Sequence, residues 1–301
     1  MSFSVVGIGE VLWDLLPDGP QLGGAPANFA YHAQALGANA SLITRVGNDE
    51  LGGKVRHRFQ EMGLSAAGIQ LEETAQTGTV SISLTSGGIP TYVIHENVAW
   101  DYIQADRDAL DRVRAADTVC FGSLAQRHVV SRESIHRLLS CASANALRVF
   151  DVNLRQDFFN REVIERSLRL ANVLKLNDQE LPIISRMFGV GGEIREQMQE
   201  LAVRFGLQVV ALTCGAEGSL LYREGQWAQG SARAVRVKDT VGAGDAFTAA
   251  LSLGLLRGLD LGEINEAANR IAGYVCGHAG ATPTLPDELR RLVNPERWHS
   301  A

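Results

Sequence analysis

The sequence predicts an α/β protein: a central, mainly parallel sheet covered by helices on both faces, with a small β element attached. Three observations carry this. Short apolar runs recur along the chain with helical stretches between them, the pattern of βαβ units. Polar residues follow the C-terminal ends of those runs, where open parallel sheets bind their ligands; Asp151, Asn153, Asn177 and Thr213 fall there. One segment, Thr77 to Asn97, instead alternates apolar and polar residues at period two.

Taken in order, "SVVGIGEVL" reads as the first strand, followed by a helix through "PANFAYHAQALG" that stops at Gly37. "ASLITRVG" reads as the next strand. In "DELGGKVRHRFQEMG", Leu51, Val55, Phe59 and Met62 recur at helical spacing ahead of Gly63. "TGTVSISLTSGGIPTYVIHEN" reads as an antiparallel hairpin turning at Gly87 and Gly88, either a lid over a site or an edge elaboration. The runs "DTVCFGS", "LRVFDVN", "NVLKLN" and "QVVALTCG" supply further strands. "EIREQMQELAVRFG" reads as a helix with Ile194, Leu201 and Phe205 on one face. Two more helices close the chain: one carries Phe247, Ala250, Leu251 and Leu255 on one face, the other Ile264, Ala268, Ile271 and Val275. Repeats and low-complexity tracts are absent, so residues 1–301 are expected to form a single α/β domain with the 77–97 hairpin inserted in it.

Composition narrows the function. The 301 residues are 46% hydrophobic and 21% charged, as in soluble globular proteins, and can bury a substantial core. The net charge of −6 and the absence of a dense Lys/Arg run argue against a nucleic-acid partner. No run approaches the roughly 20 apolar residues of a membrane helix. "MSFSVVGIGEVLWDLLPDG" lacks the basic start of a secretory signal. A cytoplasmic protein is expected. The four cysteines, Cys120, Cys141, Cys214 and Cys276, are widely spaced, without C-x-x-C or zinc spacing, and read as reduced buried residues.

Two glycine clusters carry the chemistry. In "DTVGAGDAF", Gly242, Ala243 and Gly244 precede the helix that bears Phe247, so free backbone N–H groups and the positive end of the helix dipole converge there on an anion site. Asp245 falls at the cap or in the first turn. It is either an N-cap or a functional carboxylate. In "LGGAPANFAYHAQALG", the Gly pair and Asn28 ahead of a helix permit close approach of a small polar ligand, or make an ordinary tight turn. Asp14, in "WDLLP", could accept hydrogen bonds from two adjacent sugar hydroxyls. Other phosphate motifs fail. "NDELGGKV" has Asn48 and Val55 where a P-loop needs Gly and a hydroxyl, and "GIGEVL" has Leu12 where a dinucleotide fingerprint needs its third Gly.

Together these stretches resemble the ribokinase-like (PfkB) family of carbohydrate kinases nearly end to end. "GGAPANFA…LGANASLITRVGNDELG" is similar to its N-terminal signature, "DTVGAGDAF" to its C-terminal signature, and "NDQE" to its N-x-x-E motif. The resemblance implies a three-layer fold with a small β-sheet lid, and it implies ATP and Mg²⁺, with K⁺ as a further cation. By resemblance, Asp245 is the base that takes a proton from the attacking sugar hydroxyl. Gly242, Ala243 and Gly244 form the anion hole around the transferring phosphoryl. Asn177 and Glu180 organise Mg²⁺, the latter through water. Thr213, Gly215 and Asn269 fall at nucleotide positions, and Asp14, Gly24 and Asn28 at the sugar grip. Asp239, with Val241, Gly280 and Thr284, corresponds to a monovalent-cation site. A homodimer through the lid is also compatible with the family.

The substrate is less determined. "FDVNLR" sets Arg155 at a strand end, in a D-x-N-x-R stretch similar to that of fructokinases and ketodeoxygluconate kinases. After the hairpin, "ENVAWDYI" would bring Ala99 and Trp100 to the sugar site. Trp100 reads equally as a flat wall for the ring or as plain core. Without a concentrated basic patch for a sugar phosphate, a neutral sugar is expected, fructose first. 2-Keto-3-deoxygluconate, ribose or a nucleoside stays open. So does a non-catalytic sugar-binding protein of the same fold, which the intact C-terminal signature disfavours.

Overall fold

The computed structural model describes residues 2–17, 19–84, 90–232 and 235–294. Its strands are β1 Ser4–Ile8, β2 Leu12–Leu16, β3 Gly19–Gly23, β4 Asn39–Gly47, β5 Ile69–Glu72, β6 Thr79–Leu84, β7 Pro90–Ile94, β8 Thr118–Phe121, β9 Leu147–Asp151, β10 Val173–Asn177, β11 Val209–Thr213, β12 Ser219–Arg223 and β13 Gln226–Gly230. The helices are α1 Ala25–Ala35, α2 Glu50–Glu61, α3 Arg107–Arg114, α4 Val129–Ser140, α5 Arg161–Leu170, α6 Glu180–Phe188, α7 Ile194–Phe205, α8 Ala243–Leu256, α9 Leu261–Cys276 and α10 Asp287–Leu292.

Nine strands form the main sheet in the order β13-β12-β11-β10-β9-β8-β1-β4-β5. From β5 to β11 every neighbour pair is parallel; β12 and β13 complete the other edge antiparallel. Because side chains alternate between faces along a strand, the sheet feeds two cores. Phe121, Phe150, Leu174 and Leu212 pack with α3 to α7, whereas Cys120, Val149, Val173 and Ala211 pack with α1, α8 and α9. α8 is nearly all apolar, and every residue from Ala246 to Gly254 is buried. Such a helix fits only between other elements, here α1, α9 and the sheet.

The expected helix faces are found with one exception. Val55 and Phe59 of α2 are buried, but Ile194 opens α7 at 48% exposure, and the buried face runs through Met198, Leu201 and Ala202.

The second sheet is larger than the sequence suggested. The hairpin of β6 and β7 is present, and its turn residues Gly87 and Gly88 lie outside the described residues. It is joined by β2 and β3 to give a four-stranded sheet, β3-β2-β6-β7. "SVVGIGEVL" is thus not one strand. The chain leaves the main sheet after Ile8 and enters the small sheet at Leu12. Asp14 therefore stands on the small sheet, whereas Gly24 and Asn28 belong to the layer over the large one. The four cysteines form no disulfide. No helix among the described residues is long and apolar enough to cross a membrane.

Candidate active site

The C-terminal ends of β8 and β9 and the starts of α1 and α8 meet in one crevice, lined by Ala25, Pro26, Phe29, Cys120, Phe121, Gly122, Asp151 and Asp245. At its floor α8 begins. Gly242 caps it with φ 79°, and a Cβ there would run into the carbonyl of Ala281, so only glycine fits. The Ala243 N–H reaches the Thr240 carbonyl at 3.3 Å. Those of Gly244 and Asp245 have no partner among the described residues, as the first turn of a helix requires. Of the predicted Gly242–Ala243–Gly244 set, Gly242 and Gly244 thus keep partner-free N–H groups among the described residues, and Asp245 adds a third.

Asp245 is held by α1: the Asn28 side-chain amide donates to its Oδ2 at 2.8 Å. Gly242 is the cap residue and Asp245 stands in the first turn, which removes the N-cap reading. Burial, and then the negative charge of Asp151, push its pKa up to about 6, against the opposing pull of Asn28, Lys175 and Arg155. A free aspartate titrates at about 3.9. The folded environment makes Asp245 a stronger base while leaving it mostly ionised at neutral pH.

Beneath the α8 turn lies an ion pair that the sequence reading missed. Lys175 of β10 meets Asp151 of β9 at 3.0 Å, with both side chains over nine-tenths buried. Thr248 of α8 donates to the other Asp151 oxygen at 2.8 Å. A Cβ on Gly244 would lie 3.0 Å from the Lys175 ammonium, so this cation sits directly under the turn. Burial lowers the Lys175 pKa, but Asp151, Glu180 and Asp245 more than offset it and the result is raised. Lys175 is therefore a fixed positive charge. Its signal in the sequence was a lone lysine inside the apolar run "NVLKLN".

Glu10 was missed as well. It follows β1, is 2% exposed, and its Oε2 has no hydrogen-bond partner among the described residues. Burial raises its pKa to about 7; Arg155 and the N–H groups of Glu10 and Ala25 oppose this, and Asp245 adds to it. The charge on Asp245 thus acts on Glu10. Arg155, exposed beside them, acts on both.

This geometry fits a phosphoryl-transfer site, and the comparisons agree. The pattern of pfkB family carbohydrate kinases matches residues 20–288. The chain belongs to the PfkB family of carbohydrate kinases. It is 32% identical over 305 residues to a fructokinase of Klebsiella pneumoniae, covering 95% of this chain and 98% of that one. An uncharacterized sugar kinase from Pyrococcus horikoshii, solved in complex with ATP, superimposes with a TM-score of 0.82 at 30% identity, covering 96% of this chain and 99% of that one. A fructokinase from Vibrio cholerae, solved with fructose, ADP and calcium ion, gives 0.77 at 25% identity, with 98% and 99% covered. The protein is an ATP-dependent sugar kinase.

Against this PfkB frame the remaining predicted residues separate. Gly24 precedes α1 at φ 112°, where a Cβ would overlap the Glu10 carbonyl, so backbone alone faces that point. Asp14 is half-buried, which raises its pKa, and a Cβ on Gly23 would come within 2.6 Å of its Oδ2. In N-x-x-E, Asn177 Oδ1 accepts from the N–H groups of Gln179 and Glu180 at 2.9 Å. Buried Glu180 accepts from Leu154 at 2.8 Å and Asn177 at 2.9 Å. With both oxygens engaged, Glu180 fits a magnesium ion through bound water rather than directly. Thr213 ends β11 and Gly215 opens the next turn. Asn269 is buried, and its amide donates to Ser219 Oγ at 2.7 Å within a cluster that includes Asn265. Asp239 joins two of its predicted partners, accepting from Val241 at 3.0 Å and Gly280 at 3.1 Å. The carbonyl of Thr284 is instead taken by the Tyr274 hydroxyl at 3.1 Å.

Trp100 is corrected. It is 0% exposed in the core, and the Arg127 guanidinium stacks over its ring at 3.9 Å. No open face remains for a sugar. Burying the indole is worth more than leaving it as a wall, and the cation supplies the stacking partner.

Proposed function

We propose that this kinase transfers the γ-phosphate of ATP to a hydroxyl of a neutral sugar, with fructose the first choice, and that Asp245 is the base. The supporting observation is the placement of Asp245. It stands beside partner-free N–H groups at the start of α8, is steered by Asn28, and has its pKa lifted to about 6. Phosphoryl transfer asks the protein for positioning and charge neutralisation rather than covalent chemistry. The α8 turn supplies donors to the transferring group, and Lys175, beneath that turn, adds a buried positive charge from the same side. Asp245 accepts the proton that becomes acidic as the hydroxyl attacks. Magnesium, when bound, neutralises the phosphates; Glu180 and Asn177 are the residues we assign to its waters. Asp239, Val241 and Gly280 are the residues we assign to a potassium ion.

Asp14 on the small sheet, with Gly24 and Asn28, is assigned to the sugar. The small sheet then acts as a lid that brings Asp14 over the crevice. Its exposed apolar residues Leu15, Tyr92 and Val93 support a homodimer through that sheet. The fructokinase relatives support fructose, and Arg155 beside Asp245 keeps a ketodeoxy sugar acid as the second substrate to assay. The test is ATP consumption over a panel of fructose, ribose, 2-keto-3-deoxygluconate and nucleosides, run with Asp245→Asn beside the wild type. Fructose as the preferred substrate, silenced by the substitution, is the expected result. Turnover of another member with fructose inert would replace the substrate, and turnover unaffected by the substitution would remove the base.

A further inference from the structure

A second cavity, of about 170 Å³, lies away from Asp245 and shares no lining residue with its crevice. Its walls come from the segment that leaves the small sheet after β7 and from the loop between β9 and α5, and α4 and α5 begin at its edge. The key group is Arg127. Its side chain is 5% exposed; Nε and Nη2 grip Asp101 at 2.8 Å each, and Trp100 and Phe158 flank the guanidinium. The remaining arm, Nη1, is buried without a partner among the described residues. A buried charged donor left unsatisfied is costly, and a cavity wall is where a ligand can satisfy it.

The rest of the lining selects the ligand. Asp101 already cancels Arg127, and Glu96 and Asp157 outweigh the one remaining cation, Arg132. A phosphate therefore meets no net attraction. A hydroxyl-rich neutral molecule fits: one hydroxyl accepts from Arg127 Nη1, others donate to the Glu96 and Asp157 carboxylates, Asn97 and Asn160 offer both donor and acceptor, and Phe158 presents an apolar face. We propose that this cavity is a second binding site, for a neutral sugar or polyol, at the hinge of the small sheet.

Its position gives the site a consequence. Asn97 holds a left-handed φ of 56° just after β7, and Gln156, next to the cavity loop, donates to the Tyr92 carbonyl of β7 at 2.8 Å. A ligand bridging residues 96–97 to residues 157–160 adds a second tie between small sheet and core, so occupancy changes the KM for sugar at the Asp245 site.

Calorimetric titration of D-fructose, D-glucose, D-mannitol and inorganic phosphate into the wild type and into the Glu96→Gln/Asp157→Asn double variant tests this. Both substituted residues are exposed, and unchanged melting temperature verifies the fold. The expected result is that at least one of the three polyols binds the wild type with one equivalent more than the double variant, or at least tenfold more tightly at the second step. Equal stoichiometry and affinity in both proteins for all three overturns the site, and binding by phosphate alone overturns the ligand class. The ATP-consumption panel is separate, so loss of this site leaves the kinase reading intact and the converse also holds.

Discussion

Replacing Asp245 by Asn tests the base assignment, because it keeps the shape while removing the charge. Loss of a general base lowers kcat by roughly 10²–10⁴, equal to about 3–6 kcal/mol of barrier at about 1.4 kcal/mol per decade. The stability effect has the opposite sign. A carboxyl whose pKa is raised from 3.8 to about 6 is one whose charge the fold disfavours. Its folded form binds more protons, so at pH values above 6 the charged group costs stability, on the order of 3 kcal/mol, and that cost disappears as pH falls through 6 towards 4. Asp245→Asn removes the cost and keeps an amide opposite Asn28. Its melting temperature at pH 7.5 should therefore equal or exceed that of the wild type while turnover collapses. The pH profile makes the same argument independently: with a pKa of about 6, roughly nine-tenths of Asp245 is ionised at pH 7 and about one-tenth at pH 5. Wild-type kcat should drop about tenfold over that interval, measured by coupled ADP release at saturating sugar and ATP. A variant retaining a third of wild-type kcat, or a wild-type profile flat between pH 5 and 7, would refute the reasoning.

Glu10→Gln should leave the Asp245 midpoint at about 6, since Glu10, with its pKa at about 7, is still mostly protonated where Asp245 titrates; a midpoint that falls well below 6 would show that Glu10 is charged beside it. Lys175→Met should destabilise the fold by about 3–5 kcal/mol in urea denaturation, because Asp151 is left buried and unpaired, and adding Asp151→Asn should recover part of it. Asp14→Ala should raise the sugar KM at least tenfold with ATP KM unchanged, and equal sugar KM would take Asp14 out of the sugar grip. Gly242→Ala should cost turnover and about 1–3 kcal/mol of stability, because it forces a Cβ into a left-handed turn against the Ala281 carbonyl; near-wild-type melting and kcat would show that the turn can shift.

The fold was legible because parallel strands buried on both faces write continuous apolar runs, and each is punctuated by a glycine or a polar strand end. The α8 turn was legible for a related reason: a helix entered through a left-handed residue favours glycine there, so Gly242 marks it without any neighbour being known. Local sequence determined these elements, and it placed Asp245 at the cap or in the first turn of a helix. It did not determine what surrounds them. That β2 and β3 leave the main sheet to join β6 and β7 depends on pairings between strands some sixty residues apart, which no local period encodes. Trp100 could not be assigned to wall or core until Arg127 was seen to cover it. Lys175, Asp151 and Asp245 lie on three separate elements, and only packing brings their charges together. Burial and nearby charge set a pKa, and both are properties of the assembled fold. The sequence named the carboxylate; the tertiary structure gave it a pKa of about 6.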